Sequence, residues 1–451
     1  MVITYAFLKN VFQNLINENK NNNAFIPTIL VLVTIPLSFA INNIALALFT
    51  LIALFSFRKN KFSFQTKLII PIFLYLLMAF SCFWSIDTKG SLEALSKELP
   101  LLLIPISFLI FNFFSIEQKQ KIIAVFSYSM LVYVLYYYVR AIVRYAVTND
   151  TRAFFYHGED YDDYGLVPKL LNAIHVSVFV AVAFFHFFTK EIKSKTDIGI
   201  SILLFGFVLL LSSKNVVLII IILLLVYLFF FSKSAHKMRL RNLILFMILI
   251  GLIFSFGRIK QRFEIEFQTN TNKSINANVV EGIPTTVHNV SLKEAWTNEK
   301  FTPNDYFNGT AFRIYQFRIF VELMNENNIF FTGLGLNASY PKIEEKARYY
   351  NLYLGKDGKD GYQNKNFHNQ YIQNFAELGI FGFLLLAIML IINLKNALKS
   401  KDFVHFAFAI LMISLFLTES FLWRQRGVVF FTMMYCLFNS VTKLRDSPKA
   451  E

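Results

Sequence analysis

The sequence predicts an all-α integral membrane protein of about 12 transmembrane helices, with one large outward loop between spans nine and ten. Three observations carry this prediction. Of the 451 residues, 55% are hydrophobic and only 16% are charged, against roughly a quarter charged in an average soluble domain. Phenylalanine supplies 53 residues and Trp only 3, and the mean hydropathy is +0.49, so the excess lies in long aliphatic and phenylalanine-rich runs. A helix that crosses the hydrocarbon layer needs about 20 mostly apolar residues, and such runs recur along the whole chain. The same composition excludes disorder, collagen and a disulfide scaffold. The two cysteines, Cys82 and Cys436, lie in apolar stretches, so no structural disulfide is expected.

Residues 1–23 are Asn-rich and partly amphipathic. They lack a small-residue cleavage site after a short apolar core, so they read as a cytoplasmic N-terminal segment and not as a removable signal peptide. Apolar segments then fall at about 24–40, 44–57, 68–84, 98–114, 121–147, 171–188, 197–213, 215–231 and 242–257, which places nine spans within 24–257. Three more, at about 375–394, 404–419 and 427–442, occupy 368–442, and 443–451 form a short cytoplasmic tail.

The net charge of +15 reads as topology and not as nucleic-acid binding. Positively charged short loops stay on the cytoplasmic side. With the N-terminus inside, the inner loops carry clusters such as Arg58, Lys59, Lys61 and Lys67, or Lys233, Lys237, Arg239 and Arg241. The short outer loops hold only Lys89, Lys97, Arg152, Lys169, Lys214, Arg424 and Arg426. Both termini are therefore expected in the cytoplasm, and the long hydrophilic segment 258–367 is expected to face the periplasm. Within it, 264–310 read as an irregular excursion. The run AFRIYQFRIFVELMNE, from Ala311 to Glu326, has the apolar spacing of an amphipathic helix that lies on the outer leaflet or caps the bundle. Gly333-Leu334-Gly335 end it in a flexible turn, and a second short helix is predicted from Pro341 to Tyr353.

The most informative segment is FHNQYIQNFAELGIFG, residues 367–382. It sets His368, Asn369, Gln370 and Tyr371 at the outer mouth of the tenth span. Glu377 follows deeper, before Gly379 and Gly382, whose spacing lets another backbone come close. On physical grounds alone these polar residues read equally as a site or as an ordinary helix cap.

This segment resembles the H-N-x-Y-x-x-x-x-A-E-x-G-x-x-G signature of the O-antigen ligase and polymerase superfamily of membrane glycosyltransferases. Upstream, RIYQFRIFVELMNENNIFFTGLGLNASY resembles the family's Arg-x-x-x-aromatic helix ending in a Gly-x-Gly turn, which sets Arg313, Gly333 and Gly335 on its positions. Downstream, TESFLWRQRGVVFF resembles the outward loop before the last span in some members. The resemblance is specific over about 310–435 and only architectural over the first 200 residues. One departure is LLSSKNVV, where the family's usual Ser-Arg is replaced by Ser213 and Lys214. Lysine keeps the charge but loses the bidentate fork.

The resemblance implies a GT-C-like membrane glycosyltransferase. It implies a donor glycan on a polyprenyl pyrophosphate of the undecaprenyl type, an acceptor that is lipid A-core or another lipid-linked glycan, and surface polysaccharide (O-antigen, lipopolysaccharide) biosynthesis in the bacterial inner membrane. The membrane lipid surrounds it; no nucleic acid, metal or cofactor is expected. It further implies His368 as general base or acceptor-orienting residue and Arg313 as the other catalytic position. A departing pyrophosphate needs cations, and Lys214, Arg313, Arg424 and Arg426 are the candidates. Asn369, Tyr371, Glu377, Gly333 and Gly335 support the site, with Glu377 either orienting the imidazole or packing against polar neighbours.

Other polar residues read more plainly. Arg140 and Arg144 share a helix face at the outer end of the fifth span and are expected to snorkel to the interface in preference to binding the donor. The run Glu159, Asp160, Asp162, Asp163 reads as a solvated loop. His175 lies near the outer start of the sixth span, within reach of the site, and no histidine pair has zinc-ligand spacing. Ligase, polymerase and protein O-glycosylating relatives share donor and site, so the motifs do not separate them. The competing class is a transporter or lipid-glycan flippase without chemistry. It suits 12 spans, but the sequence has no pair of matching halves, and its ionisable residues gather at the outer mouth and not at mid-membrane.

Overall fold

The structure is a computed structural model. It describes residues 13–57, 63–111, 114–157, 163–232, 251, 264, 288–356 and 359–441. The predicted ninth span apart from Gly251, most of 258–287, the start of the N-terminal segment and the C-terminal tail lie outside the described residues.

Apolar runs become helices because lipid offers no partner for backbone N–H and C=O groups. The helices are α1 (Phe25–Thr34), α2 (Phe39–Ser56), α3 (Thr66–Ser81), α4 (Thr88–Glu98), α5 (Pro100–Ile110), α6 (Ile116–Thr148), α7 (Ala173–Phe188), α8 (Lys195–Leu210) and α9 (Lys214–Val226). After 288 come α10 (Leu292–Thr297), α11 (Gly309–Glu326), α12 (Ser339–Tyr349), α13 (Gln370–Ser400), α14 (Phe403–Leu415) and α15 (Gln425–Asn439). Four segments are long and apolar enough to cross a membrane: Phe39–Ser56, Ile116–Thr148, Lys214–Phe231 and Gln370–Ser400. Shorter apolar helices coincide with other predicted spans, among them Phe25–Thr34, Thr66–Ser81, Ala173–Phe188 and Phe403–Leu415. On α6, Val132, Tyr136, Val139 and Val143 are exposed at alternating three- and four-residue spacing, which makes one outward apolar stripe suited to lipid.

Sequence reading took the stretch after the third span for a loop, whereas Thr88–Glu98 forms α4. Its charged residues hide it from a hydropathy reading, but Asp87 caps it by accepting the Gly90 N–H, and Ser91, Ala94 and Glu98 supply a buried face. Arg140 donates to the Asp163 carboxylate at 2.8 Å and Arg144 lies 3.6 Å from it; Arg140 also reaches the Gly165 and Leu166 carbonyls. Both arginines therefore brace the 163–166 segment, and Asp163 is a bound and not merely solvated residue.

Residues 288–367 build a cap with its own core. The excursion is partly ordered: β1 (His288–Asn289) pairs in parallel with β2 (Asp305–Tyr306), and α10 lies between them, started by a Ser291–Glu294 capping box. Helix α11 starts two residues before the prediction, because Asn308 accepts the N–H groups of Thr310 and Ala311. It buries Ala311, Phe312, Tyr315, Ile319 and Leu323 against Phe301, Phe307, Tyr350 and Phe367. On its other face Arg318 pairs with Glu322 at 2.9 Å, and Lys346 of α12 pairs with the same carboxylate at 2.9 Å. Gly355–Lys356 and Lys359–Asp360 close a two-residue antiparallel hairpin, β3 and β4.

Candidate active site

The cap is fastened to the bundle where α13 breaks. Gly379 sits at φ 66°, ψ −165° inside the helix, a conformation open to glycine and costly for other residues. The break frees carbonyls that a continuous helix would use. The Leu334 and Gly335 N–H groups donate to the Ala376 and Glu377 carbonyls, both at 2.9 Å, and the Ile380 N–H donates to the Phe330 carbonyl at 2.8 Å. A Cβ on Gly333 or Gly379 would lie 2.2 Å from backbone of the other segment. At Gly335, φ 102°, a Cβ would lie 2.4 Å from Ser85 Cβ. The Glu377 carboxylate is buried in this seam, accepting from Ser339 Oγ at 2.9 Å and from Gln373 Nε2. Of the backbone approaches expected at Gly379 and Gly382, the one at Gly379 is present, made by Phe331 and Thr332 just ahead of the Gly333–Gly335 turn, whereas the atoms nearest Gly382 belong to its own helix.

About two and a half turns before that break, α13 starts at a different kind of site. Asn369 caps the helix, accepting the Tyr371 and Ile372 N–H groups. His368, just before it, is held at φ 46°, a strained position for a residue with a side chain, and its N–H donates to Asn366 Oδ1 at 3.0 Å. This approach is laced to the connection that follows α14. The Gln370 N–H donates to the Phe416 carbonyl at 2.8 Å, Asn369 Nδ2 to the Leu417 carbonyl at 3.1 Å, and the Tyr371 hydroxyl to the Ile413 carbonyl at 3.0 Å.

Two further elements converge on the same connection. From α11, Arg313 donates through Nε and Nη2 to the Thr418 carbonyl, at 3.0 and 2.7 Å, and through Nη1 to the Gly309 carbonyl at 2.8 Å. A guanidinium has five N–H groups, so a fixed, half-buried cation keeps two for a ligand. From α9, Asn215 donates to the Ser414 carbonyl at 2.9 Å and to Thr418 Oγ1 at 2.6 Å, which brings the start of that helix, and with it Lys214, to the connection.

Glu419 completes the cluster. It is buried, and its Oε2 stands 3.6 Å from His368 Nδ1. His175 is fully buried, stacked on Phe421 at 4.2 Å, and neither ring nitrogen has a partner among the described residues.

The remaining predicted cations divide. Arg424 is exposed, and its charge acts on His175 and Tyr340. Arg426 is buried, and its three nitrogens donate to the Ile35, Leu37 and Leu170 carbonyls at 2.6–3.1 Å, with Phe39 packed at 4.0 Å. It ties α15 to the turn between α1 and α2.

Beside the cluster an open cleft of about 560 Å³ runs between α11 and α13. Ile314, Phe317, Phe367, Ile372, Phe383 and Leu417 make it apolar, and Arg313, Asn369 and Tyr371 edge it. The arrangement offers an apolar cleft with a cation at one edge and, beside it, an imidazole 3.6 Å from a carboxylate.

Residues 199–387 match the O-antigen ligase family. The chain thus resembles the O-antigen ligase and polymerase superfamily over a region that holds Lys214, Arg313, Gly333, Gly335, His368, Asn369, Tyr371 and Glu377. The match starts earlier than the signature read over about 310–435, and it stops before Glu419, Arg424 and Arg426. The apolar helices and this match make the chain a membrane protein, and the O-antigen ligase match supports a glycosyltransferase-like role in O-antigen processing. No curated protein matches the chain.

Sequence reading missed Glu419, Thr418 and Asn215. A signal for Glu419 was present, since an acidic residue directly ending an apolar run is expensive and calls for a partner. Nothing in the spacing named His368, 51 positions earlier, as that partner.

Proposed function

We propose that this protein transfers a glycan from a polyprenyl-pyrophosphate carrier to an acceptor hydroxyl at the periplasmic face of the bacterial inner membrane, as a ligase or polymerase of surface polysaccharide. The observation that carries this reading is the meeting of Arg313, His368 and Glu419 beside an apolar cleft of about 560 Å³. A lipid-linked donor has this same sequence of parts: an apolar chain, a pyrophosphate, and the sugar carbon beyond it.

In the reaction, the acceptor oxygen attacks the anomeric carbon while that carbon's bond to the pyrophosphate oxygen breaks. The acceptor proton passes to the unprotonated ring nitrogen of His368. The electron pair of the broken bond stays on the pyrophosphate, and the fixed guanidinium of Arg313 meets the growing charge, with Lys214 and Arg424 as further cations. The energy comes from the lipid-linked bond, so no nucleotide or metal takes part. Arg426 acts in this scheme as a brace for α15, because its nitrogens are held by carbonyls. Lipid A-core and a second lipid-linked glycan both present a hydroxyl to the same base.

The test is direct. The purified protein is incubated with lipid-linked glycan and each acceptor, without nucleotide and with a chelator present. Glycan appearing on one acceptor is the expected result and identifies ligase or polymerase; transfer to neither, from a folded preparation, removes the reading.

A further inference from the structure

Glu419 stands in a connection that is already held without it. The carbonyls of Phe416, Leu417 and Thr418 are taken by Gln370, Asn369 and Arg313 in turn, Thr418 Oγ1 is taken by Asn215, and Ser420 Oγ reaches Gln373 Oε1 at 3.4 Å. Bracing the loop therefore does not explain a carboxylate there. A buried carboxylate is costly unless it is paired, and the ion-pair partner in reach is His368 Nδ1, at 3.6 Å. The distance is long for a hydrogen bond, as base–orienter contacts often are before substrate closes the site. The imidazole is also held from its other side: its backbone is fixed at φ 46°, and Phe312 lies against the ring with centroids 6.0 Å apart.

We propose that Glu419 is the positioning residue of His368. It accepts the Nδ1–H, fixes that tautomer, and so leaves the Nε2 lone pair as the one that takes the acceptor's proton. This deepens the transferase reading and rests on it for its catalytic meaning, but the pairing itself is a property of the unliganded protein. The charged and titratable groups around the pair are Arg313 from α11, His175 from α7, Tyr340 from α12 and Arg424 ahead of α15. Among them Glu419 is the anion beside His368. A carboxylate placed there also stabilises the imidazolium that forms when the proton arrives, so it lowers the barrier without touching substrate.

The experiment has two arms on the full-length protein in lipid nanodiscs. In the first, nitrogen-15 spectra of labelled histidine, assigned with His368→Gln, report the tautomer of His368 near pH 8. The expected result is Nδ1–H in the wild type and a shift toward Nε2–H in Glu419→Gln. An Nε2–H tautomer in the wild type overturns the proposal, and this measurement needs neither activity nor a folded Glu419 variant.

In the second arm, transfer rates are followed against pH with saturating lipid-linked glycan. Glu419→Gln is expected to lose about tenfold or more in kcat, with KM for the donor within about twofold. The acidic limb of its profile moves to lower pH, because the imidazolium has lost its anion, and Glu419→Asp recovers part of the rate. A Gln variant with wild-type kcat and an unmoved acidic limb overturns the proposal. If the wild type transfers nothing while its His368 shows the Nδ1–H tautomer paired to Glu419, the transferase reading falls and the pairing stands.

Discussion

Helix α13 passes through two polar regions that are less than three turns apart and are built on opposite terms. At the seam, the Glu377 carboxylate accepts from Ser339 and Gln373, the freed carbonyls beside it are taken by Leu334 and Gly335, and the glycines admit no further atoms. At the mouth, Asn369 and Gln370 are fixed, but His368 is part-exposed, its contact to Glu419 is long, and Arg313 keeps two N–H groups. A polar group that is fully satisfied stabilises, and one that is held in place but incompletely satisfied is available to a ligand. The difference gives one continuous signature two tasks: its second half locks the cap to the bundle, and its first half, on the function proposed above, presents the chemistry.

The largest effect should come from breaking the seam. In Gly379→Ala the new Cβ would sit 2.2 Å from the Phe331 carbonyl oxygen, at φ 66° and ψ −165°, a region essentially confined to glycine that costs roughly 1–3 kcal/mol by itself. Displacing that strand also weakens three backbone hydrogen bonds worth about 1 kcal/mol each. A loss of roughly 3–5 kcal/mol is expected, read as a much lower melting temperature and poor recovery from detergent. A Gly379→Ala protein that melts like wild type would show that the seam does not hold the cap.

The next effect belongs to the mouth and should leave the fold alone. Arg313→Ala is expected to abolish transfer while the protein still inserts, because the pyrophosphate loses its charge partner at the edge of a low-dielectric cleft. The Thr418 carbonyl loses the guanidinium that binds it, so melting should fall by about 1–2 kcal/mol. Near-normal transfer by this variant would remove Arg313 from the donor site.

His368 separates the two regions most sharply. As a general base it should lose on the order of a hundredfold or more on replacement by Ala, with donor binding kept because the cations are untouched. His368→Gln should do no better, since an amide cannot take the proton at neutral pH. Ala and Gln both carry a Cβ and meet the same strained φ of 46°, so both variants should melt close to wild type. Gln activity within a few-fold of wild type would make His368 an orienting residue, like its neighbour Asn369.

Much of this comparison could be seen in the sequence. The apolar runs report lipid directly, because a span must be long and apolar whatever it packs against. The helix of residues 311–326 and the Gly333–Gly335 turn follow from periodicity and from glycine. His368 and Arg313 follow from the resemblance. Three things were hidden. Helix α4 is too charged to register as an apolar run and exists through its Asp87 cap. Arg426 carries the same formal charge as Arg424, and only tertiary packing reveals that one is buried on carbonyls and the other is exposed. Glu419 meets His368 because α14 returns beside α13, and sequence spacing holds no record of that return.

The smallest effect is predicted for Lys214, where the chain departs from the Ser-Arg usual in the superfamily it resembles. Lys214 opens α9, and Asn215 fixes that start by donating to the Ser414 carbonyl and to Thr418 Oγ1; the Thr418 carbonyl also binds Arg313, and Glu419 follows it. The backbone that carries the charge is therefore set by its neighbour and not by Lys214 itself, so replacement should not disturb the connection. Lys214→Arg keeps the cation and adds a fork that matches phosphate oxygens; its rate is expected within a few-fold of wild type, with KM for the lipid-linked donor unchanged or lower. Lys214→Ala removes the charge and should raise that KM while kcat moves less, because Arg313 still meets the leaving group. A donor titration of the three proteins at one pH reads both constants. If Ala matches wild type in both, the start of α9 belongs with the seam as scaffold, and the donor is held by α11 and the connection alone.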